Sequence, residues 1–419
     1  MSSVDGVNRV STVDGVGRSG AGEVDRARRN VAAGGDRAGD EGARGRTVGV
    51  GMVGTAFMGA AHSQAWRTVN RVFDLPVTAR MAVICGRDPA RTEAAASRLG
   101  WAATETDWRA LIDRDDVELV DICTPGDTHA EIAIAALAAG KHVLCEKPLA
   151  NTVAEAEAMA AAARDAGTVA MCGFTYRRVP AVTLMHDLVA AGRIGRIRQV
   201  RACYLQDWLV DPAAPWTWRL SADRAGSGAL GDLGAHVIDA VRFLTGAEFE
   251  SVSALTETFV TERPLPGGTG NAPVTVDDAA LFLARLSGGV VGTFEATRYA
   301  TGRKNALRIE VNGTLGTLAF DLERLNELEF YDGGQLSAEA GFRRILVTEP
   351  DHPYLSAWWP PGHLLGYEHA FTHQARDLLA AVGGGDPVRP SFEDGLAAQR
   401  VLDAVGRSAR DSTWTNTVH

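Results

Sequence analysis

From Thr47 to Phe174 the chain alternates short, nearly unbroken apolar runs with alanine-rich segments of helical composition. The runs "TVGVGMV" (47–53), "MAVICG" (81–86), "VELVDICT" (117–124), "KHVLCE" (141–146) and "TVAMCGF" (168–174) are short enough to be buried strands. Between them lie "MGAAHSQAWRTV", "PARTEAAASRLG", "THAEIAIAALAAG" and "TVAEAEAMAAAARDAG", and Gly140 and Gly167 stand where helix C-caps would. A strand covered on both faces has no polar side, so these runs barely alternate. Strand–helix alternation predicts βαβ units and a doubly wound parallel sheet of Rossmann type over residues 47–173.

After Phe174 the pattern changes. Segments 197–210, 249–262, 277–300 and 307–322 show partial period-two alternation, and "LSGGVVG" and "VNGTLGTL" supply turn signals between strands. Helical composition occurs at 179–191, 232–245, about 366–383 and about 393–410. Residues 174–419 are therefore expected to form a second α/β domain with a large, mostly antiparallel open sheet. No internal repeat is visible.

Composition narrows the function. A net charge of −10 argues against a nucleic-acid or anionic-membrane surface, and there is no apolar stretch of ~20 residues to span a bilayer. The five cysteines (Cys85, Cys123, Cys145, Cys172, Cys203) have neither disulfide nor zinc spacing and read as reduced core residues of a cytoplasmic protein. Residues 1–46 are rich in Gly, Asp, Arg and Val without sustained period, and are expected to be a disordered tail. Arg28-Arg29 is followed by no apolar segment that would make it an export signal.

The stretch "GVGMVGTAFMGAAH" (49–62) offers two registers for one phosphate-binding turn. The first, Gly49-x-Gly51-x-x-Gly54, leaves only Thr47 and Val48 to form the strand. The second, Gly54-Thr55-Ala56-Phe57-Met58-Gly59, gives a full strand before the turn and a helix after it, the geometry that meets a pyrophosphate. The second is preferred, with alanine at the middle glycine position narrowing the approach. The residue that would read the ribose lies at the end of the next strand, where Gly86 replaces the usual acid and Arg87 is placed to meet a 2′-phosphate. This favours NADP, with Asp88 leaving NAD open.

"CTPGDTHAEIAIAALAAGKHVLCEKPLA" (123–150), "MCGFTYRRVPAV" (171–182) and "GALGDLGAHVIDAVRFLTG" (228–246) follow in that order. Together they resemble the signature of the Gfo/Idh/MocA oxidoreductases, the glucose–fructose oxidoreductase and inositol dehydrogenase family. The resemblance spans about 47–410 and implies dinucleotide contacts at Thr124, Pro125, His129, Glu146 and Lys147. It also implies catalytic Lys147, Asp232 and His236, substrate contacts near Tyr176 and Arg177, and a homo-oligomer (dimer or tetramer) built through the open sheet.

The residue chemistry agrees with these roles. A lysine leaving a parallel strand at the ligand-binding edge can bond a reacting hydroxyl and favour its alkoxide. Asp232 and His236, at i and i+4, would share a helical face, the carboxylate orienting an imidazole that takes the proton. Trp208, Trp216, Trp218 and Arg219 lie in a loop-like aromatic stretch suited either to stacking on a sugar or to a domain interface. His62 is expected to be packing or helix surface. His363, His369 and His373 could bind metal by spacing, but a structural or substrate-contact role is preferred and no metal is expected.

The expectation is an NAD(P)-dependent oxidoreductase acting on a secondary alcohol of a sugar, inositol or related cyclic polyol. The alternatives are an NAD-dependent glycoside hydrolase that oxidises its sugar transiently, and a non-catalytic dinucleotide-binding sensor.

Overall fold

The computed structural model describes residues 45–417. The tail expected over 1–46 falls almost wholly outside the described residues, and Arg46 already belongs to the first strand.

The first half runs β1 (Arg46–Val53), α1 (Phe57–Val72), β2 (Val77–Cys85), α2 (Pro89–Leu99), β3 (Ala103–Glu105), α3 (Trp108–Ile112), β4 (Leu119–Ile122), α4 (His129–Ala138), β5 (His142–Cys145), α5 (Val153–Ala166) and β6 (Ala170–Cys172). Its six strands are ordered β3-β2-β1-β4-β5-β6, and every pairing is parallel. The order reverses between β1 and β4, and ligands of such sheets bind in the crevice that this reversal opens at the carboxyl ends of the strands. Inside β1 the glycines serve packing. A Cβ on Gly49 would sit 1.8 Å from the Asp116 carbonyl oxygen, and one on Gly51 would sit 2.7 Å from Leu111 Cδ2.

The second half contains α6 (Pro180–Ala190), β7 (Ile197–Leu205), α7 (Ala222–Ala225), α8 (Ala235–Thr245), β8 (Phe249–Glu257), β9 (Glu262–Pro264), β10 (Asn271–Pro273), β11 (Ala279–Leu286), β12 (Val290–Thr297), β13 (Ala306–Gly313), β14 (Gly316–Asp321), β15 (Glu327–Asp332) and β16 (Arg343–Leu346). It closes with α9 (Tyr367–Val382), α10 (Phe392–Asp411) and β17 (Thr415–Asn416). Nine strands form one sheet, β16-β15-β14-β13-β7-β12-β11-β8-β17, antiparallel except where β7 meets β12. One face, with Tyr204, Phe282 and Phe294, is buried under helices, while the other shows Leu255, Leu281, Leu283 and Val291 to solvent. The fold is the α/β architecture read from the sequence.

Local departures have local causes. The run 197–210 leaves the sheet at Leu205, and its last residues become a loop carrying Trp208. The elements that the pattern missed, β3, α3, α7, β9, β10, β15, β16 and β17, are short or polar. Helices α9 and α10 return to the first half: Phe371, Leu378 and Leu379 of α9 join Val48, Val50 and Trp66 in one core cluster. All five cysteines are free; four are buried and Cys203 is half-buried. Among the described residues no helix is long and apolar enough to cross a membrane.

Candidate active site

Strand β1 stops at Val53, and Gly54 turns the chain with φ +120°, its N–H donating to the Cys85 carbonyl at 2.9 Å. Only glycine fits here, because a Cβ would also lie 2.6 Å from the Cys123 carbonyl oxygen. A Cβ on Gly59 would lie 2.2 Å from the Gly54 carbonyl oxygen, so the first turn of α1 packs directly on the loop. Helix α1 opens at Phe57 with no side chain capping it among the described residues, so its first N–H groups are open to an anion. The turn is therefore formed by the Gly54–Gly59 register.

This turn lies in a cleft of about 1160 Å³ that extends from Gly86 and Arg87 past Thr124, Pro125 and His129 to Lys147, Asp232 and His236. Ala56, Phe57 and Met58 line it as well. A Cβ on Gly86 would lie 2.6 Å from Thr92 Oγ1 and 2.9 Å from Thr55 Cγ2, so no acid fits there without rearrangement. Arg87 is exposed, whereas Asp88 is engaged in capping α2 by accepting the Arg91 N–H at 3.1 Å. His129 braces the cleft, its Nδ1 3.0 Å from the Pro148 carbonyl oxygen and its Nε2 2.9 Å from that of Thr124. An uncapped helix, a glycine cradle and a long cleft beside them fit a dinucleotide.

At the far end Lys147 Nζ donates to the Asp232 backbone carbonyl at 2.8 Å and to Asp232 Oδ1 at 3.0 Å. The other carboxylate oxygen, Oδ2, accepts from Arg298 Nη2 at 3.0 Å. Withdrawal from water opposes charge on Asp232, but Lys147 and Arg298 outweigh it and hold the carboxyl well below the usual carboxylate range. Arg298 is 1% exposed, and its Nε and Nη1 have no protein partner among the described residues.

The expected Asp232–His236 hydrogen bond is not formed. Asp232 sits in a π-helical turn, Leu230–Gly234, ahead of α8, and this wider winding breaks the i, i+4 alignment. Asp277 caps the turn, accepting the Gly228 and Leu230 N–H groups at 2.7 Å each. His236 instead lies among aromatic rings, 4.6 Å from the Tyr176 ring and 5.8 Å from that of Tyr204. Burial, reinforced by the Lys147 ammonium, pushes its pKa well below the ordinary histidine value. The imidazole is thus neutral and able to accept a proton.

The other sequence candidates divide. Tyr176, Trp208, Trp218 and Arg219 line the cleft. Arg177 does not: it is buried, with Nε 2.9 Å from Asp239 Oδ2 and Nη2 reaching Asp394 at 3.4 Å, so that it bridges α8 and α10 away from the cleft. Trp216 belongs to a small satellite core with Leu209, Leu220, Val274 and Val276. His373 is packed between the Arg178 carbonyl, 2.9 Å from Nδ1, and Trp358 Nε1–H, which donates to Nε2 at 2.8 Å. His369 Nδ1 accepts the Gly366 N–H at 3.0 Å, and His363 Nδ1 lies 2.8 Å from the Pro360 carbonyl oxygen.

His62 is neither surface nor plain packing. Its Nδ1 lies 3.0 Å from both Asp121 oxygens and its Nε2 3.0 Å from Glu146 Oε1. Burial works against the charged ring, but Asp121 overcomes it and raises its pKa well above the ordinary value. Glu146 in turn accepts the Lys147 backbone N–H at 3.2 Å. Sequence reasoning also missed Tyr204, Asn305 and Arg298. Tyr204 accepts from the Tyr176 hydroxyl at 2.7 Å and donates its own proton to Asn305 Oδ1 at 2.6 Å. Only the alternating pattern of β7, which turns Tyr204 inward, could have singled one of them out.

Residues 48–174 match the family model described as oxidoreductase family, NAD-binding Rossmann fold, and residues 182–319 match the GFO/IDH/MocA C-terminal domain. The chain is similar to levoglucosan dehydrogenase of Pseudarthrobacter phenanthrenivorans, 42% identical over 385 residues that cover 88% of this chain and 98% of that protein. It is also similar to inositol 2-dehydrogenase of Rhizobium meliloti, 28% identical over 365 residues covering 87% and 98%. Among solved structures, an oxidoreductase domain protein from Kribbella flavida aligns with TM-score 0.87 at 62% identity, covering 89% of this chain and all of that one. Levoglucosan dehydrogenase in complex with NADH and levoglucosan aligns with TM-score 0.86 at 42% identity, covering 89% and 100%.

Proposed function

The chain belongs to the Gfo/Idh/MocA oxidoreductase family, and we propose that it oxidises a secondary alcohol of levoglucosan or a closely related cyclic sugar with a nicotinamide dinucleotide. The observation that carries this reading is the meeting of Lys147, Asp232 and His236 at the end of a cleft that begins at the Gly54 turn.

A bound nicotinamide supplies the hydride acceptor. Lys147 donates to the reacting oxygen, and its ammonium stabilises the negative charge that grows there. His236, neutral and without a protein hydrogen-bond partner among the described residues, takes the hydroxyl proton. Asp232, kept ionised between Lys147 and Arg298, holds the ammonium in place. Trp208 and Trp218 offer flat faces for the C–H side of a sugar ring.

Arg87 beside Gly86 supports acceptance of NADP, although NADH is the dinucleotide in the levoglucosan dehydrogenase complex. The exposed leucines of β8 and β11 support self-association through the nine-stranded sheet. The free cysteines support a cytoplasmic setting.

Nicotinamide absorbance, followed with both dinucleotides on levoglucosan, inositols and aldoses, tests the proposal. Turnover of levoglucosan above the rest of the panel is expected. Failure across the panel would overturn it, as would tightly held dinucleotide with glycoside cleavage but no net redox change.

A further inference from the structure

The aromatic wall of the cleft is carried by a loop, residues 206–221, whose only regular element is the single turn Trp218–Leu220. We propose that Arg263, which does not line the cleft, is a positioning residue for substrate specificity: it fixes this loop and with it the shape of the sugar-facing wall. The inference rests on the sugar-oxidising reading above.

Arg263 lies on β9, in the hairpin behind the loop, and is 0% exposed. No carboxylate pairs with it among the described residues. Its guanidinium is met by main-chain oxygens instead: Nη1 donates to the Asp211 carbonyl at 2.7 Å and Nη2 to the Leu209 carbonyl at 2.6 Å. A longer contact reaches the Ala214 carbonyl at 3.4 Å, and Nη2 also donates to the Tyr299 hydroxyl. The loop is thus wound around a buried cation.

Burying a guanidinium without a counter-charge is costly, and apolar packing alone could have stapled a hairpin to a loop. What arginine adds is a rigid fork of donors that addresses several carbonyls at fixed angles. Bonds to main-chain oxygens set backbone path, and backbone path sets where the intervening side chains emerge.

The same hairpin holds the rest of the loop. The Trp216 N–H donates to the Pro264 carbonyl at 2.7 Å, its Nε1–H donates to the Pro273 carbonyl at 3.0 Å, and the Thr275 N–H donates to the Leu220 carbonyl at 3.0 Å. From between these anchors Trp218 and Arg219 reach the cleft, with the Arg219 guanidinium 4.5 Å from the Trp218 ring centre. Just before the first anchor, Trp208 does the same. Beyond the loop, Arg224 pairs with Asp127 in the segment after β4, and the Asn151 amide donates to the Arg224 carbonyl at 3.1 Å. The wall is tied to the satellite core on one side and to the dinucleotide half on the other.

The test compares Arg263→Lys and Arg263→Met with the parent in the full chain, using levoglucosan kinetics, NADH binding by fluorescence, and limited trypsin digestion. A positioning role predicts a sugar KM raised at least ~10-fold, kcat and NADH Kd each within ~3-fold of the parent, and partial rescue in the lysine variant. It also predicts new cleavage after Arg219 in both variants. Unchanged KM and unchanged cleavage would overturn the inference, as would parallel loss of NADH binding and kcat, which marks a general folding role. If the methionine variant does not fold, Tyr299→Phe removes a single partner and should raise KM alone. The digestion needs no substrate, so it decides the loop question even if levoglucosan is not turned over, an outcome that would count against the proposed function instead.

Discussion

The Lys147 ammonium and the Asp232 carboxylate lie 3.0 Å apart although 85 positions separate them in the chain. One residue follows β5 of the parallel sheet; the other lies in the π-helical turn that leads into α8, beside the antiparallel sheet. Neither half holds the pair alone, so the proposed reactive centre forms only where the two halves meet. The ion pair is consistent with the proposed division of labour: Asp232 is engaged by Lys147 and Arg298 and makes no bond to the His236 imidazole.

Removing either of the groups proposed to act on the hydroxyl should be severe. Lys147→Ala and His236→Ala are each expected to lower kcat at least ~100-fold, as loss of a general acid–base group does. NADH binding, measured by fluorescence, should remain within a few-fold of the parent. Near-normal turnover in both variants would refute the assignment.

The pH profile should carry the mark of His236. Burial and the facing Lys147 lower its pKa well below 6.5, with Asp232 opposing. Between the two pKa values the unfolded chain binds a proton that the folded one refuses. The stability contribution is therefore full above about 6.5 and lost as pH falls. His62 has the opposite sign: its contribution is full below 6.5 and fades as pH rises through its raised value. In oxidation, the acid limb of kcat/KM should lie below 6.5 and disappear in His236→Ala. A limb centred above 7 in the parent would contradict this.

The glycine turn can be tested by separating packing from binding. Gly51→Ala places a methyl against Leu111 and Val117 and should destabilise by about 1–3 kcal/mol, the usual range for overpacking, with cofactor Kd unchanged. Ala56→Gly should leave stability nearly unaltered and tighten cofactor binding. Denaturant melts with dinucleotide titrations read both, and the reverse pattern would return the turn to Gly49.

Arg177 should behave as a structural residue. Arg177→Ala leaves Asp239 and Asp394 buried without their shared partner and should cost about 3–5 kcal/mol in urea unfolding. The sugar KM of the folded fraction should stay close to that of the parent. A large rise in KM without loss of stability would restore Arg177 to the substrate site.

Arg87→Ala should raise the KM for NADP at least ~10-fold while changing that for NAD little, because a guanidinium adds most where it meets a 2′-phosphate. Equal effects on both dinucleotides would show that Arg87 does not discriminate between them.

The parallel sheet and the turn were legible because continuous apolar runs, C-cap glycines and strand length each reflect local constraints. Lys147 and His236 were singled out by motifs, one just after β5 and the other in the first turn of α8, and the fold brings both to one cleft. Arg298 and Arg263 were not, since each gains its meaning from partners tens of positions away. The Asp232 geometry was misread because a π-helical turn has the same composition as an α-helical one. Arg177 was misread because adjacency to Tyr176 says nothing about which way the next side chain faces in a tight turn. The destination of α9 was hidden for a related reason: amphipathic spacing shows that a helix has an apolar face, not which sheet will cover it.

That destination has a consequence for synthesis. Phe371, Leu378 and Leu379 complete the apolar layer over β1, yet they leave the ribosome more than three hundred residues after Val48. Until then the nascent first half must carry an uncovered greasy face, a condition in which partly made chains associate wrongly. Expression cut short anywhere before α9 should therefore yield aggregate rather than a small nucleotide-binding fragment. The layer over β1 is complete only once α9 has been made.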